Sequence, residues 1–321
     1  MIIYIKNNMI YNEVFDIYWK FAYSRQETFF NRMNGKTMPW SDDPILQKYK
    51  FTNVYRVTDR VSQYLIKNVI YNGKRYSDED TILRILLFKI FNKIETWQLL
   101  ENHFEEISYK NFDVDKYAQF LNTCLDNHTK IYSAAYIMPS GISYFGDVRK
   151  HRNNLLLIDL ILRSGIIKKI ANCRSLKSLY HLLLEFPTLG PFLAFQFAID
   201  INYSELTDFN EMSFVVAGPG AKRGIEKCFG VTDKKYEYYI HYMADNQQRE
   251  FERLGLDFKT LFGRPLQLID CQNIFCELDK YLRVLYPDII TKDRKTRIKQ
   301  LFKPKSKPLT LFLPPKWGLV Y

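Results

Sequence analysis

The sequence predicts a mainly α-helical fold. Apolar residues recur three and four positions apart along much of the 321-residue chain, as they do on the buried face of a helix. Proline and glycine stand between these runs, where helices begin or end. Hydrophobic residues make up 47% of the chain, which is enough for a sizeable core. We expect a single helical unit over residues 1–290 and a basic tail over residues 291–321.

Two of the predicted helices carry features beyond periodicity. The helix over residues 77–101 opens with Ser77-x-x-Asp80, a capping pattern, and is apolar on nearly every side, which predicts a central core helix. The helix over residues 52–71 would place four polar side chains on one face, namely Arg56, Arg60, Gln63 and Lys67. That face is either a solvated surface or a basic ridge against a phosphate backbone. The other predicted helices span residues 10–34, 113–128, 155–170, 221–229, 236–254 and 267–285.

Residues 174–200 have the form of two apolar helices joined by a tight turn. Pro187 ends the first helix, Thr188 to Gly190 make the turn, and Pro191 suits the first position of the second helix. Such a helix-hairpin-helix can offer backbone amides to a DNA phosphate. An ordinary αα-hairpin in a helical core would have the same sequence pattern.

A second glycine–proline pair follows in the run Gly218-Pro219-Gly220. The residues after it can form a helix that carries Lys222 and Arg223 in its first turn. Free backbone amides and cations together suit an anion. A plain Gly-Pro turn followed by a solvated basic face is the alternative interpretation.

The charge of the chain indicates a nucleic acid partner. The formal net charge is +11 and the pI is about 9.2, which is typical of proteins that bind nucleic acid. We expect the basic stretch 291–308 of the tail to be mobile and attracted to nucleic acid. Five scattered cysteines without CxxC spacing favour a reduced, cytoplasmic protein with no metal site. No apolar run reaches about 18 residues, so we expect no membrane span, and no motif calls for a cofactor.

Several segments together resemble a known family. They are PWSDDPIL (39–46), YKFTNVYRVTDRVSQYLI (49–66), LFKIFNKIETW (87–97), AYIMPSG (135–141), LGPFLAFQFAIDINYS (189–204), FVVAGPGA (214–221) and DCQNIFCELDKY (270–281). They resemble the helical domain associated with phage 5-hydroxymethyl-dU DNA kinases and the alpha-glutamyl/putrescinyl thymine pyrophosphorylases, over residues 25–317. That group is a divergent branch of the helix-hairpin-helix DNA glycosylase superfamily. The resemblance implies a helix-hairpin-helix DNA glycosylase-like helical fold and action on a modified base in DNA.

The sequence departs from the usual glycosylase pattern at two places. Bifunctional members carry a hairpin lysine where this chain has Phe192, so we expect no lyase step. The usual catalytic aspartate is also missing. Alignment from Gly230 puts Pro219 at its position, whereas alignment from the hairpin puts Asn210 there, with Glu211 adjacent.

The resemblance and the chemistry of base excision suggest three sets of site residues. A carboxylate beside the sugar would stabilise the positive charge that develops there, and the candidates for this catalytic role are Glu211, Asp270 and Glu277. The candidates for substrate binding are Gln63, Asn92, Trp97, Gln196, Asp200, Gln272, Asn273 and Lys280. The candidates for DNA contacts are Arg56, Arg60, Lys150, Thr188, Gly190, Gly218, Gly220, Lys222 and Arg223.

These observations predict a monofunctional DNA glycosylase that flips out and excises a bulky modified pyrimidine, such as a glucosylated hydroxymethyl base of phage DNA. We expect it to act as a monomer on double-stranded DNA that carries modified bases. Two alternatives are a transferase that adds an amine or amino acid to an activated 5-hydroxymethyl pyrimidine in DNA, and a non-catalytic binder of modified DNA. The sequence has no GxxxxGK[ST] loop, which argues against kinase activity in this chain.

Overall fold

The computed structural model describes residues 4–6, 9–11, 13–230, 232–289, 297–304 and 309–321. Helices dominate these residues, which confirms the mainly α-helical prediction. The described strands, β1 (Tyr4–Lys6) and β2 (Met9–Tyr11), form one antiparallel pair. In the part of the chain that the structure describes, no helix is both long and apolar enough to cross a membrane.

The chain divides into two compact units. Unit 1 comprises residues 1–59, 215–311 and 319–321, and unit 2 comprises residues 60–214 and 312–318. The expectation of a single helical unit over residues 1–290 stays a prediction.

The described α-helices are α1 (Glu13–Met33), α2 (Pro44–Lys48), α3 (Arg60–Tyr64), α4 (Asp78–Phe91), α5 (Ile94–His103), α6 (Val114–Asp126), α7 (Ile142–Phe145), α8 (Lys150–Arg163), α9 (Ile166–Ala171), α10 (Leu176–Leu184), α11 (Pro191–Ile201), α12 (Pro219–Phe229), α13 (Tyr236–Arg253) and α14 (Leu268–Leu285). Shorter elements are the 3₁₀ turns Arg56–Thr58 and Pro315–Trp317 and the π-helical segment Leu65–Ile70.

Unit 1 is built around the close packing of α12 on α14. A Cβ at Gly224 would collide with the carbonyl oxygen of Phe275, and one at Gly220 would collide with Sγ of Cys276. Glycines four residues apart therefore form the face through which α12 approaches α14. Trp19 of α1 packs edge-to-face on Phe251 of α13, with ring centroids 5.0 Å apart, and completes the same core.

Unit 2 is built around α4, in which every residue from Ile82 to Phe91 is buried. This agrees with the expected core helix, and α8 and α11 pack against it. The helices α10 and α11 pack against each other and are joined by a short turn, as predicted. Their equivalence to a glycosylase-type helix-hairpin-helix stays a prediction.

The prediction of one helix over residues 52–71 is wrong. The chain forms a 3₁₀ turn at Arg56–Thr58, then α3, then the π-helical segment. Asp270 Oδ1 accepts a hydrogen bond from Arg56 N at 2.8 Å, and Asp59 Oδ1 accepts one from Asn53 N at 2.8 Å. The Asp270 carboxylate replaces the carbonyl partner that a continuous helix would give to the amide of Arg56.

Two other predicted helices are interrupted. The one over residues 77–101 divides at Asn92, whose φ of 48° lies in the left-handed region that asparagine tolerates. The one over residues 155–170 begins earlier, at Lys150, and divides at Gly165, whose φ is 71°. In both cases one left-handed residue ends the first helix and a new helix follows within two residues.

Described parts of the tail make hydrogen bonds to the fold, and the mobility expected for residues 291–308 stays a prediction. Phe302 N donates to Lys48 O and Lys50 N to Gln300 O, both at 3.0 Å, in unit 1. In unit 2, Phe312 N donates to Gln63 Oε1 at 2.8 Å. Residues 291–296 and 305–308 of the predicted tail, and residue 290 before it, lie outside the described residues.

Candidate functional site

A buried ion pair joins α4 to α11 in unit 2. Lys89 Nζ lies 2.7 Å from Asp200 Oδ2, and the two side chains are 3% and 2% exposed. A buried pair is weak as a stabilising device, because both charges lose their hydration when they enter the core. Its presence in an otherwise apolar helix therefore marks a candidate for binding or chemistry.

Tyr136 covers this ion pair. Lys89 Nζ lies 4.1 Å from the centroid of the Tyr136 ring, which is cation–π range. The same ring stacks on Phe192, with centroids 5.8 Å and planes 7° apart. The backbone of Tyr136 has a φ of 54°, a left-handed conformation that costs a non-glycine residue on the order of 1 kcal/mol. The partly exposed aromatic pair of Tyr136 and Phe192 thus lies next to the buried pair of Lys89 and Asp200. We call these four residues the Lys89–Asp200 cluster.

The segment that carries Tyr136, residues 131–149, is loop apart from the short helix α7, and we call it the Tyr136 loop. It presents both apolar and basic side chains. Ile137 is 67% exposed and Val148 is 84% exposed, and Arg149 beside Val148 is exposed as well. Lys150 follows at the start of α8, with Nζ 4.4 Å from the ring centroid of Tyr132. Apolar side chains between cations suit nucleic acid, where bases are apolar and phosphates are anionic.

The turn between α10 and α11 lies beside this loop. A Cβ at Gly141 would be 3.7 Å from Thr188 Cγ2. Thr188, with a φ of 69°, supplies the left-handed residue of the turn, while Gly190 is extended and caps α11. Three of the predicted DNA contacts, Lys150, Thr188 and Gly190, therefore lie on or next to the Tyr136 loop.

A second polar cluster lies in unit 1 around Asp59. Asn53 N and Thr52 N, consecutive amides, donate to Asp59 Oδ1 at 2.8 Å and to Glu277 Oε2 at 3.1 Å. Burial raises the pKa of Asp59 to about 7, and the negative charge of Glu277 adds to the effect although Arg56 and Arg25 oppose it. Asp59 can therefore gain or lose a proton near neutral pH.

Asp279 is the centre of a third cluster, also in unit 1. Its carboxylate is 1% exposed and pairs with Arg223 at 3.0 Å, Lys227 at 3.1 Å and Arg283 at 2.6 Å. Although burial raises it, these three cations hold the pKa of Asp279 below its usual range. Arg223, predicted to contact DNA, is thus engaged inside the protein, whereas its neighbour Lys222 is exposed.

The structure separates the three predicted catalytic carboxylates. Glu211 is buried in unit 2, whereas Asp270 and Glu277 belong to α14 of unit 1. Asp270 occupies the third position of that helix, where Oδ2 accepts a hydrogen bond from Gln267 N at 2.9 Å, so it forms a capping box. Glu277 pairs with Lys280 at 2.6 Å. A catalytic role for each of the three stays a prediction.

The predicted substrate-binding residues are also dispersed. Gln196 and Asp200 lie on α11 in unit 2, and Asp200 belongs to the Lys89–Asp200 cluster. Trp97 is buried on α5, and Asn92 caps the end of α4. In unit 1, Gln272 Nε2 donates to Asn273 Oδ1 at 3.3 Å.

Some of the predicted DNA contacts are exposed in the structure and others are buried. Arg56 is 2% exposed, so the predicted basic ridge that it would share with Arg60 is wrong. Arg60 itself is exposed and lies 3.7 Å from Glu95. Gly218 and Gly220 are buried, and Gly220 serves the packing of α12 on α14.

Sequence reasoning missed Lys89, Tyr136 and Asp59. Lys89 lies within an apolar run that predicts a core helix, and this pattern does not mark a single lysine as functional. Only the packing of α11 on α4 brings an acid to it.

Comparison with known proteins identifies the family. Residues 12–291 match the model of the 5-hmdU DNA kinase, helical domain. The chain belongs to this family. A 5-hmdU DNA kinase of Bacillus phage SP10 is 26% identical over 288 residues, which are 84% of this chain and 45% of the phage protein. The chain thus spans less than half the length of this curated relative. No solved structure matches the chain.

Membership in the 5-hmdU DNA kinase helical-domain family overturns the glycosylase expectation. A kinase transfers phosphate, whereas a glycosylase hydrolyses an N-glycosidic bond, so the expected excision of a modified pyrimidine and the hydrolase class are wrong. The kinase name likewise does not support transfer of an amine or amino acid. The missing GxxxxGK[ST] loop does not separate the chain from kinases, because the match lies in a helical domain of that family. Monomeric state and cytoplasmic location stay predictions.

Proposed function

We propose that this chain takes part in phosphate transfer to 5-hydroxymethyl-deoxyuridine in DNA, as the helical part that binds the modified DNA. The observation that carries the proposal is the family match, which extends over residues 12–291. The formal net charge of +11 supports it, since binding to a phosphate backbone needs such an excess of cations. The partner is then DNA that contains the modified base.

The reaction defines what the helical chain has to do. The hydroxymethyl oxygen attacks the terminal phosphorus of a nucleoside triphosphate, the bond to the diphosphate breaks, and the hydroxyl proton passes to a base. Such transfer depends on positioning, because the reacting oxygen has to lie in line with the leaving diphosphate. We assign the placing of the hydroxymethyl group to this chain, and no step in the binding of the triphosphate.

Binding to matched duplexes tests the first half of the proposal. One duplex carries a single 5-hydroxymethyl-deoxyuridine opposite adenine, and the control duplex carries thymidine at the same position. We expect tighter binding of the modified duplex in fluorescence anisotropy at fixed salt. Equal affinities for the two duplexes would contradict the proposal.

Competition with a known kinase tests the second half. We expect an excess of this chain to inhibit phosphorylation of the modified duplex by the Bacillus phage SP10 5-hmdU DNA kinase, because both proteins would occupy the same modified positions. Bovine serum albumin at equal concentration and a lysozyme of matched positive charge serve as controls. Inhibition no greater than that by lysozyme would refute a shared binding site.

A further inference from the structure

The Tyr136 ring lies where a pyrimidine could reach Phe192 and Lys89. It is a flat six-membered ring that stacks on Phe192 and faces the ammonium of Lys89 at 4.1 Å. A pyrimidine can stack on an aromatic side chain in the same way. Its O4 can accept a hydrogen bond from an ammonium, and its N3–H can donate to a carboxylate. Lys89 and Asp200, 2.7 Å apart, supply those two groups side by side.

We propose that Phe192, Lys89 and Asp200 form a binding site for the modified pyrimidine, and that Tyr136 closes this site when no base is present. The inference rests on the proposed function, because the ligand is a base of the bound DNA. It adds the residues that recognise the base.

The closing role falls to Tyr136 because the other three residues lie on packed helices. Lys89 belongs to α4, and Phe192 and Asp200 belong to α11, which packs against α4. Tyr136 instead sits in the exposed loop 131–149, with a left-handed backbone that its ring contacts have to offset. A base that takes over the stack on Phe192 and brings its O4 edge to Lys89 removes the reason for that conformation.

The same site explains a preference for the hydroxymethyl base. Thymine has a methyl group where 5-hydroxymethyluracil has a hydroxyl-bearing carbon. The extra hydroxyl can donate to Asp200 or accept from Lys89, and a hydrogen bond to a charged group changes affinity by roughly tenfold or more. A site lined by apolar residues alone could not separate the two bases in this way.

The test uses the full chain, the duplex with one 5-hydroxymethyl-deoxyuridine and the thymidine duplex. Lys89→Met alone leaves Asp200 buried without its cation and can fail to fold. The decisive variant is therefore Lys89→Met/Asp200→Leu, which removes both charges together. Lys169→Met is the matched control, because Lys169 also lies over an aromatic ring in unit 2, that of Phe186, but is exposed.

We expect the double variant to lose the preference for the modified duplex by roughly tenfold, since one hydrogen bond to a charged group is lost. Its affinity for the thymidine duplex should fall by less, because thymine shares O4 and N3–H with the modified base but lacks the hydroxyl. The Lys169→Met control should bind both duplexes within about twofold of the wild type. A folded double variant that keeps the full preference would overturn the site while leaving the proposed function intact. Absence of any preference in the wild type would overturn both.

The closing role has its own readout. A 2-aminopurine next to the modified base brightens when that base leaves the stack. We expect Tyr136→Ala to raise this fluorescence at saturating protein and to tighten binding, since the competing ring is gone, whereas Phe192→Ala weakens binding. Tyr109→Ala, at another exposed tyrosine of unit 2, is the control. Weaker binding by Tyr136→Ala than by the Tyr109→Ala control would overturn the assignment of Tyr136 as the closing residue.

Discussion

The helices α11 and α12 begin with the same Gly-Pro pair in nearly the same backbone conformation, yet the glycines at the two starts have different structural roles. Gly190 has φ −70° and ψ 171° before Pro191, and Gly218 has φ −71° and ψ 164° before Pro219. A Cβ at Gly190 would meet nothing within 4 Å. In α12, by contrast, the glycine two residues after Gly218 lies against a neighbouring helix.

The comparison shows that glycine can be required for two different reasons within a few residues. One is the backbone conformation at the start of a helix, and the other is close packing against a neighbouring helix. At α11 the glycine leaves an open turn, which suits a ligand. In α12, Gly220 and Gly224 are required because α14 lies so close, so they serve helix packing. The predictions that follow separate these two uses, from the largest expected effect to the smallest.

Gly224→Ala should lower the free energy of unfolding most. The added Cβ meets the backbone oxygen of Phe275, which cannot move unless α14 shifts. We expect a loss of about 3 kcal/mol, the upper part of the range for overpacking, even after alanine's better helix propensity. Urea unfolding followed by circular dichroism measures it. An unchanged midpoint would show that α12 and α14 separate easily.

Gly220→Ala should cost less, because the added Cβ meets the side chain of Cys276. We expect a loss of about 1–2 kcal/mol in the free energy of unfolding. Adding Cys276→Ala removes the sulfur and should recover most of this loss, with Cys276→Ala alone as the control. If the double variant is no more stable than Gly220→Ala, the clash lies elsewhere.

Lys222→Met and Arg223→Met test whether the start of α12 also binds phosphate. Lys222 is exposed, whereas Arg223 is paired with Asp279. We expect Lys222→Met to reduce the slope of log affinity against log salt by about one, and Arg223→Met to leave it unchanged. Equal slopes for wild type and Lys222→Met would restrict α12 to a packing role.

Gly190→Ala should have the smallest effect. The position is extended and open, so we expect the free energy of unfolding to change by less than about 0.5 kcal/mol. Thermal unfolding measures it. A large loss would mean that the turn before α11 is packed as tightly as α12, and the contrast between the two starts would disappear.

Long periodic helices could be predicted from the sequence, and residues set by distant partners could not. Helix α14, expected over 267–285, is found at Leu268–Leu285, because its pattern is local. The helix expected over 52–71 fails because the Asp270 carboxylate, far along the chain, takes the amide of Arg56. The local spacing of apolar residues contains no information about that bond.

The candidate site was predictable only in part, for the same reason. Asp200 is among the residues predicted to bind substrate, and the structure places it in the Lys89–Asp200 cluster. Its partner Lys89 lies 111 positions away in an apolar run, and Tyr136 lies in a loop. The sequence predicts a DNA contact at Gly220, because anion binding and close helix packing both use glycine and the sequence pattern is the same for the two.

The raised pKa of Asp59 makes the folding of unit 1 a proton-uptake reaction. In the unfolded chain an aspartate loses its proton near pH 4, whereas Asp59 in the fold keeps it up to about pH 7. Between these values the folded state binds one proton more than the unfolded state, so the contribution of Asp59 to stability is full below about pH 4 and falls as the pH rises toward 7. The enthalpy of unfolding measured at pH 5.5 should accordingly include the ionisation heat of the buffer for the proton that Asp59 releases, and Asp59→Asn should remove that contribution.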